Sequence, residues 1–215
     1  AVAFGVEKMY MPDMAEAQTN MANVLDREWD GINALSAPPF FAMTAQRHIH
    51  EFGTTREQMA LVSVKNHHYS TMNPLAQFQK EVTVEDTLKS LMVAPPLTLL
   101  DCSGITDGAA GVILVPAEDA EKYTDTPLYL IGSGQANIGN VINNLASLTE
   151  WVPLKLAVKE AFRTAKITLD DVDIAELHDC FTISEIMEYE AFGWCKKGKG
   201  GKFIEDGEPY IGGKI

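Results

Sequence analysis

Short apolar strand-like runs alternate with helical stretches along this chain, and that alternation is what most constrains its fold. Ala1–Val6, Ala110–Val115, Pro127–Gly132 and Val172–Leu177 have the length and composition of strands. Between them the spacing predicts helices from Pro12-Asp13 to Asp30, over Phe40–Phe52 with Gly53 as the stop, from Thr54 to about Asn66, and from Pro153 to Ala165. Ala117–Tyr123 reads as a helical turn, and a last helix follows His178–Phe181. Elements in this order imply an α/β class. Ser36-Ala37-Pro38-Pro39 reads as a break, and 67–98 as a long connecting segment whose apolar residues argue against disorder. Thr54–Glu57 and Thr182–Glu185 read as capping boxes, with Thr54 and Thr182 as the caps.

Charge narrows the partners. The 215 residues carry 17 basic and 30 acidic side chains, a formal net charge of −13. A field of that sign argues against nucleic acid or an anionic membrane as partner, and an anionic ligand would need a local basic patch. No apolar run approaches the length of a membrane span, and the opening residues lack the pattern of a secretory leader. Cys102, Cys180 and Cys195 have no zinc-like pairing, so free thiols in a reducing, cytoplasmic compartment are expected. Ala1–Val6 looks like a strand already under way and Gly212–Ile215 like the start of another element, so an internal piece of a longer chain is expected.

Four constellations bear on chemistry, the two histidine pairs taken together as one. Gly132-Ser133-Gly134…Gly139 follows a strand, but its spacing is wrong for a dinucleotide-binding turn. A nicotinamide enzyme would also need a helix directly after Gly134 and an acidic residue ending the next strand, and the sequence offers neither. The plain reading is a strand-exit turn. His48 and His50 stand two apart on a helix, too divergent to share a metal, and read as surface histidines. His67 and His68 follow a helix and read as residues of a loop that lines a pocket rather than as metal ligands. Lys196, Lys197, Lys199 and Lys202 lie among glycines and read as a solvated loop, the alternative being a patch for a phosphate-bearing ligand. No metal site is expected.

The fourth is Asp171–Gly193, "DVDIAELHDCFTISEIMEYEAFG", a strand, then His178-Asp179-Cys180-Phe181, then a helix. If Thr182 caps that helix, Cys180 lies within its first turn, where the helix field favours a thiolate. His178 is placed to hold a proton or donate to a developing oxyanion. A structural turn with a buried, inert cysteine is the competing reading.

The HDCF stretch resembles the motif of thiolases of the sterol-carrier-protein and archaeal type. Other segments resemble the family in the same order: "AVAFGVEKM", "VKNHHYSTMNPLAQFQKEVTVEDTL", "LLDCSGITDGAAGVILV" and "PLYLIGSGQA". The likeness covers essentially all 215 residues. It implies a layered α/β/α/β/α fold, incomplete in this chain. Residues 1–125 would be the last part of the N-terminal half, with an inserted loop domain over about 11–101, and 126–215 the first part of the C-terminal half.

The activity implied is that of an acyl-CoA C-acyltransferase, most simply an acetyl-CoA C-acetyltransferase, working through an acyl-cysteine. Carried over residue by residue, Cys180 is the acid/base and His178 an oxyanion donor. Ser103 and Gly104 lie near the pantetheine arm, with His67 and the segment to Pro74 lining a CoA-sized cleft supplied with lysines. Cys102 carries no sign of being the nucleophile. No permanently bound cofactor is implied, with coenzyme A thioesters as substrates. A homodimer or dimer of dimers follows, with a small OB-fold zinc-binding protein or a synthase as candidate companion. The nucleophile and a Gly-His-Pro motif fall outside these residues, so the 215 residues alone are expected to be inactive. A non-catalytic thiolase-like subunit that binds acyl-CoA or scaffolds a partner is the alternative.

Overall fold

In the computed structural model the described residues are 1–11, 13–26, 28–31, 36–139, 142 and 145–215. Strand β1 (Val2–Glu7) pairs antiparallel with β4 (Gly108–Ile113), from Val2 opposite Ile113 to Glu7 opposite Gly108. The second predicted strand thus sits two residues earlier than Ala110–Val115. Asp107 closes the ribbon: its Oδ1 accepts the N–H groups of Met9 and Tyr10 at 3.0 and 2.8 Å, and Lys8 pairs with it at 2.7 Å. Both faces of the ribbon are open, with Phe4 77% exposed.

Residues 8–107, which the ribbon brackets, are mostly helical. They contain α1 (Met14–Met21), α2 (Ala37–Phe52), α3 (Arg56–Ser70) and α4 (Val84–Lys89), then a hairpin of β2 (Met92–Ala94) and β3 (Leu97–Thr98). Ser36–Pro39 is a helix start rather than a break. Pro38 and Pro39 occupy the first turn of α2, where their missing N–H groups cost nothing. Gly53 ends α2 in the left-handed conformation, as expected. The next box is shifted by one: Thr55, not Thr54, caps α3, and Gln58 rather than Glu57 reaches back. The segment 67–98 is less irregular than its composition suggests, because α3 continues to Ser70 and Thr83 caps α4.

The second half supplies α5 (Val152–Ala165), α6 (Thr182–Phe192) and α7 (Gly200–Glu205). No described residue of Pro127–Gly132 or Val172–Leu177 joins a strand ladder, although both were expected as strands. They run as extended chain with apolar side chains open, Leu128 at 98% and Ile174 at 81%. The glycines of "GSGQANIG" have a packing role. A Cβ on Gly132 would meet the Ala161 carbonyl oxygen of α5 at 2.5 Å, and one on Gly134 would overlap that of Ala157. No helix starts directly after Gly134, over 135–139, which suits a turn and not a dinucleotide site.

The core lies where α2, α3, α6 and α7 meet: Met59, Val62, Ile183, Ile186, Tyr189, Phe203 and Ile204 are buried together with Leu97. Helix α6 is buried on all sides up to Ala191, as expected of a central helix. α7 was not foreseen in the Gly/Lys-rich tail. Gly200 permits it, since a Cβ there would overlap the Ile186 carbonyl oxygen of α6.

Two sequence expectations fail around α6. His48 is buried, not on the surface: its Nε2 lies 3.1 Å from Glu190 Oε1 and its Nδ1 2.8 Å from Thr54 Oγ1. Lys197 is no free loop lysine, because its Nζ pairs with Glu190 Oε2 at 2.9 Å. Lys202 pairs with Asp206 at 2.5 Å. Of the four lysines, Lys197 is thus committed to a buried partner and Lys202 to a surface ion pair. The Gly200 N–H completes the Glu190 site at 3.0 Å.

Burial by itself would raise the Glu190 carboxyl. The hydrogen bonds from His48, Lys197 and the Gly200 N–H, with the nearby positive charge, outweigh it and hold the group at about 2. A carboxylate depressed on folding stabilises the fold above its unfolded value, near 4.5, and that contribution is lost as pH falls through about 2. Glu190→Gln should cost about 3 kcal/mol at pH 7 and flatten the acid limb of the stability curve. Urea unfolding from pH 7 to 2 measures both, and an unchanged acid limb would show that Glu190 is not the titrating group.

Candidate functional site

The His178–Phe181 turn enters α6 through backbone contacts that the capping pattern did not predict. Phe181 is the N-cap residue and Thr182 the first helical one. The Phe181 carbonyl accepts the Ser184 N–H at 2.8 Å, and its ring is buried and stacked on Phe41 at 4.5 Å. Thr182 Oγ1 donates away from the helix, to Asp101 Oδ1 at 2.8 Å. Asp101 also takes both arms of Arg56, at 3.2 and 2.5 Å, and the Thr98 N–H and hydroxyl at 2.8 Å each.

That anchor sets the Cys102-Ser103-Gly104 turn against the HDCF turn. Cys102 bridges antiparallel to Phe181, and the Ser103 N–H donates to the Cys180 carbonyl at 3.0 Å. Two segments about 80 residues apart in sequence thereby become one surface.

Beside it lies a cleft of about 490 Å³, within the usual range for small-molecule sites. His67, Ser103 and Gly104 all line it, together with Asn66, Phe78 and Asp179. Of the stretch 67–74 only His67 and Ser70 reach the wall. The lysines expected there do not line the cleft; its charged walls are Asp101 and Asp179. His67 Nδ1 lies 2.8 Å from the Lys80 carbonyl oxygen, its ring near Phe78, and His68 Nδ1 lies 2.9 Å from Glu81 Oε1. The two histidines thus pin the 71–83 segment over the cleft. A Cβ on Gly104 would press on the Phe78 ring at 3.2 Å.

His178 and Cys180 are not among the cleft-lining residues, whereas Asp179 is. His178 is exposed at the end of the extended run 172–178, and Cys180 is half-buried with its Sγ 3.4 Å from Ser184 Oγ. The expected thiolate does not follow. Burial raises the Cys180 thiol above its ordinary value, and the Glu188 and Asp179 carboxylates add to this. The Ser184 contact and the Phe181 N–H act in the opposite sense and lose. Burial likewise pushes Cys102 up to about 12, and its Sγ donates to the Thr98 carbonyl at 3.3 Å, an inert arrangement. Cys195 also rises to about 12, mainly through burial.

Asp179 accepts from Asn66 Nδ2, which also donates to Glu185 Oε2 at 3.0 Å. Burial and the Glu185 charge raise Asp179 to about 6. Glu185 is held by Lys65 at 2.5 Å and by the Tyr189 hydroxyl. Asn66, Lys65, Asp101, Ser184 and Glu185 were missed as site residues in the sequence. One signal was available: Thr98-x-x-Asp101 has the spacing of a capping box, and the same box recurs at Thr83/Asp86 and Thr168/Asp171.

Residues 1–118 match the family described as "Thiolase, N-terminal domain" and residues 134–215 that described as "Thiolase C-terminal domain-like". The chain belongs to the thiolase superfamily. It is 46% identical over 214 residues to the acetyl-CoA acetyltransferase of Methanothermobacter thermautotrophicus, covering 100% of this chain and 55% of that protein. It is 32% identical to sterol carrier protein 2 of Bos taurus, covering 99% of this chain and 41% of that protein. The chain thus spans about half the length of the relatives it matches. Among solved structures it superposes on the Ltp2-ChsH2(DUF35) aldolase with TM-score 0.84 at 27% identity, covering 99% of this chain and 56% of that one. It shares its fold with the monomeric SCP2-thiolase-like protein type 1 of Mycobacterium smegmatis, TM-score 0.68 at 20% identity, covering 90% of this chain and 42% of that one.

Asp101→Asn removes the charge opposite Arg56 while keeping the side chain's size. Breaking a buried pair of this kind should cost roughly 3 kcal/mol. Urea denaturation reads the loss directly; a cost below about 1 kcal/mol would mean that the Asp101 hub does not hold the two turns together.

Proposed function

We propose that this chain is part of an acyl-CoA C-acyltransferase, most simply an acetyl-CoA C-acetyltransferase, that forms or cleaves the C–C bond of a 3-oxoacyl-CoA. One observation carries the reading: the Ser103 N–H to Cys180 carbonyl bond joins the turn that lines the cleft to the turn that carries the thiol. The 46% identity to an acetyl-CoA acetyltransferase supports the substrate class.

In this reading Ser103, Gly104 and His67 flank the pantetheine arm of the CoA thioester. Cys180 is the acid/base and His178 an oxyanion donor. A thiol raised by burial keeps its proton at neutral pH, which suits a proton donor. In the cleavage direction the acyl group passes to a nucleophilic cysteine outside these residues as the C–C bond breaks. The electron pair stays on the departing acetyl-CoA enolate, whose oxygen His178 stabilises with an N–H. Cys180 delivers its proton to the enolate carbon. The thiolate left behind takes the proton of the incoming CoA thiol, whose sulfur then attacks the acyl-cysteine.

No permanently bound cofactor enters this scheme. The Ltp2-ChsH2(DUF35) aldolase supports assembly with a DUF35-type companion. The open β1–β4 ribbon supports pairing with further polypeptide, as in a homodimer. Three free cysteines suit a reducing, cytoplasmic setting.

The test is kinetic, on the full-length protein. Cys180→Ala should abolish steady-state condensation while single-turnover acylation of the nucleophile persists. His178→Ala should lose about 10²–10³ in kcat, as when one oxyanion donor is removed. Wild-type condensation in both variants would show that the His178–Cys180 turn is only structural, and no condensation by the unaltered protein would leave the non-catalytic, acyl-CoA-binding subunit as the better reading.

A further inference from the structure

Helix α6 carries three buried glutamates, and two of them have partners. Glu185 holds Lys65, Asn66 and Tyr189. Glu190 holds His48, Lys197 and the Gly200 N–H. The third, Glu188, is 5% exposed, and its Oε2 has no hydrogen-bond partner among the described residues. A buried carboxyl with an oxygen unpaired is costly, and a fold that keeps one needs a reason.

Position supplies the reason. Ser184 and Glu188 stand four residues apart on α6, so they share a face. Ser184 is wholly buried, and its hydroxyl lies 3.4 Å from Cys180 Sγ. The order along this face is thiol, hydroxyl, carboxyl. We infer that Ser184 and Glu188 are positioning residues that set the proton state of Cys180, the hydroxyl favouring thiolate and the carboxylate opposing it. This rests on the acid/base role given to Cys180 above.

The groups around Glu188 make it responsive. Besides Cys180 these are Glu185 on its own helix, Asp179 in the preceding turn and Lys65 on α3. Burial first, then the charges of Glu185 and Asp179, raise Glu188 to about 8, against the pull of Lys65. Below that pH Glu188 is neutral and leaves the thiol alone. Above it the new negative charge holds the proton on Cys180 more firmly. Cys180 then resists becoming a persistent thiolate at alkaline pH, while a transient one remains accessible during turnover.

The experiment is the rate of Cys180 alkylation by iodoacetamide against pH, in the full-length protein without substrate, with the modified peptide quantified by mass. It needs no turnover, so it can fail while the thiolase reading stands, and the kinetic variants above test that reading separately. Glu188→Gln should move the midpoint of that curve down by about one pH unit, the size expected of one nearby charge at intermediate dielectric. Ser184→Ala should move it up. A Glu188→Gln curve that superimposes on the wild type with the native fold retained overturns the inference, as does a downward shift in Ser184→Ala.

Discussion

Asp101 takes hydrogen bonds from three elements at once, and the candidate site is built around it. Arg56 comes from α3, Thr98 from the end of β3, and Thr182 from the first turn of α6. At 2% exposure the carboxylate has exchanged its water for these donors. Such an arrangement adds little net stability over an apolar packing, yet it tolerates few alternatives, because any movement leaves a charge unpaired. The geometry follows from that intolerance. Cys102 and Ser103, next in sequence, are held against Phe181 and Cys180, and the cleft opens along the seam.

Electrostatics on α6 show how much context decides. Glu185, Glu188 and Glu190 lie within six residues of one helix, and all are buried. Cations and N–H donors drive Glu190 down to about 2 against its burial, whereas burial first, then the charges of Glu185 and Asp179, take Glu188 up to about 8. Helix propensity and the helix dipole are nearly the same for the three. The difference comes from what other segments bring within a few ångströms.

The same division separates what could be read from the sequence from what could not. Gly53, the amphipathic runs of α2, α3 and α5, and the β1 and β4 segments were legible, because each rests on residues close together in the chain. Ser103 and Gly104 were legible only through the family's motif, His67 also through its place near a helix end, and the structure places all three on one cleft. His48 looked like a surface histidine because its partner Glu190 is 142 residues away. Pro127–Gly132 and Val172–Leu177 have strand composition but no ladder here, since a strand also needs a neighbour, which composition does not contain. The thiol of Cys180 was misjudged for a related reason. The helix field is a local property, and the desolvation that outweighs it is a tertiary one. Thr182 failed as a cap because Asp101 is its partner.

The β1–β4 ribbon has a consequence for how the chain can vary. Its register sets Glu7 opposite Gly108, and Asp107 latches onto Met9 and Tyr10. The hundred residues between therefore leave and return at nearly the same point. A segment held in this way behaves as a cassette: its length can drift while its two attachment points stay fixed, since the entropy of closing a loop changes only slowly with loop length. Of the cassette residues that line the cleft, Ala76 to Phe78 lie between α3 and α4 and can be remodelled against the Asp101 turn, which α3 and α6 hold in place. A frame that holds still while its insert changes lets a lineage try new substrates without having to refold.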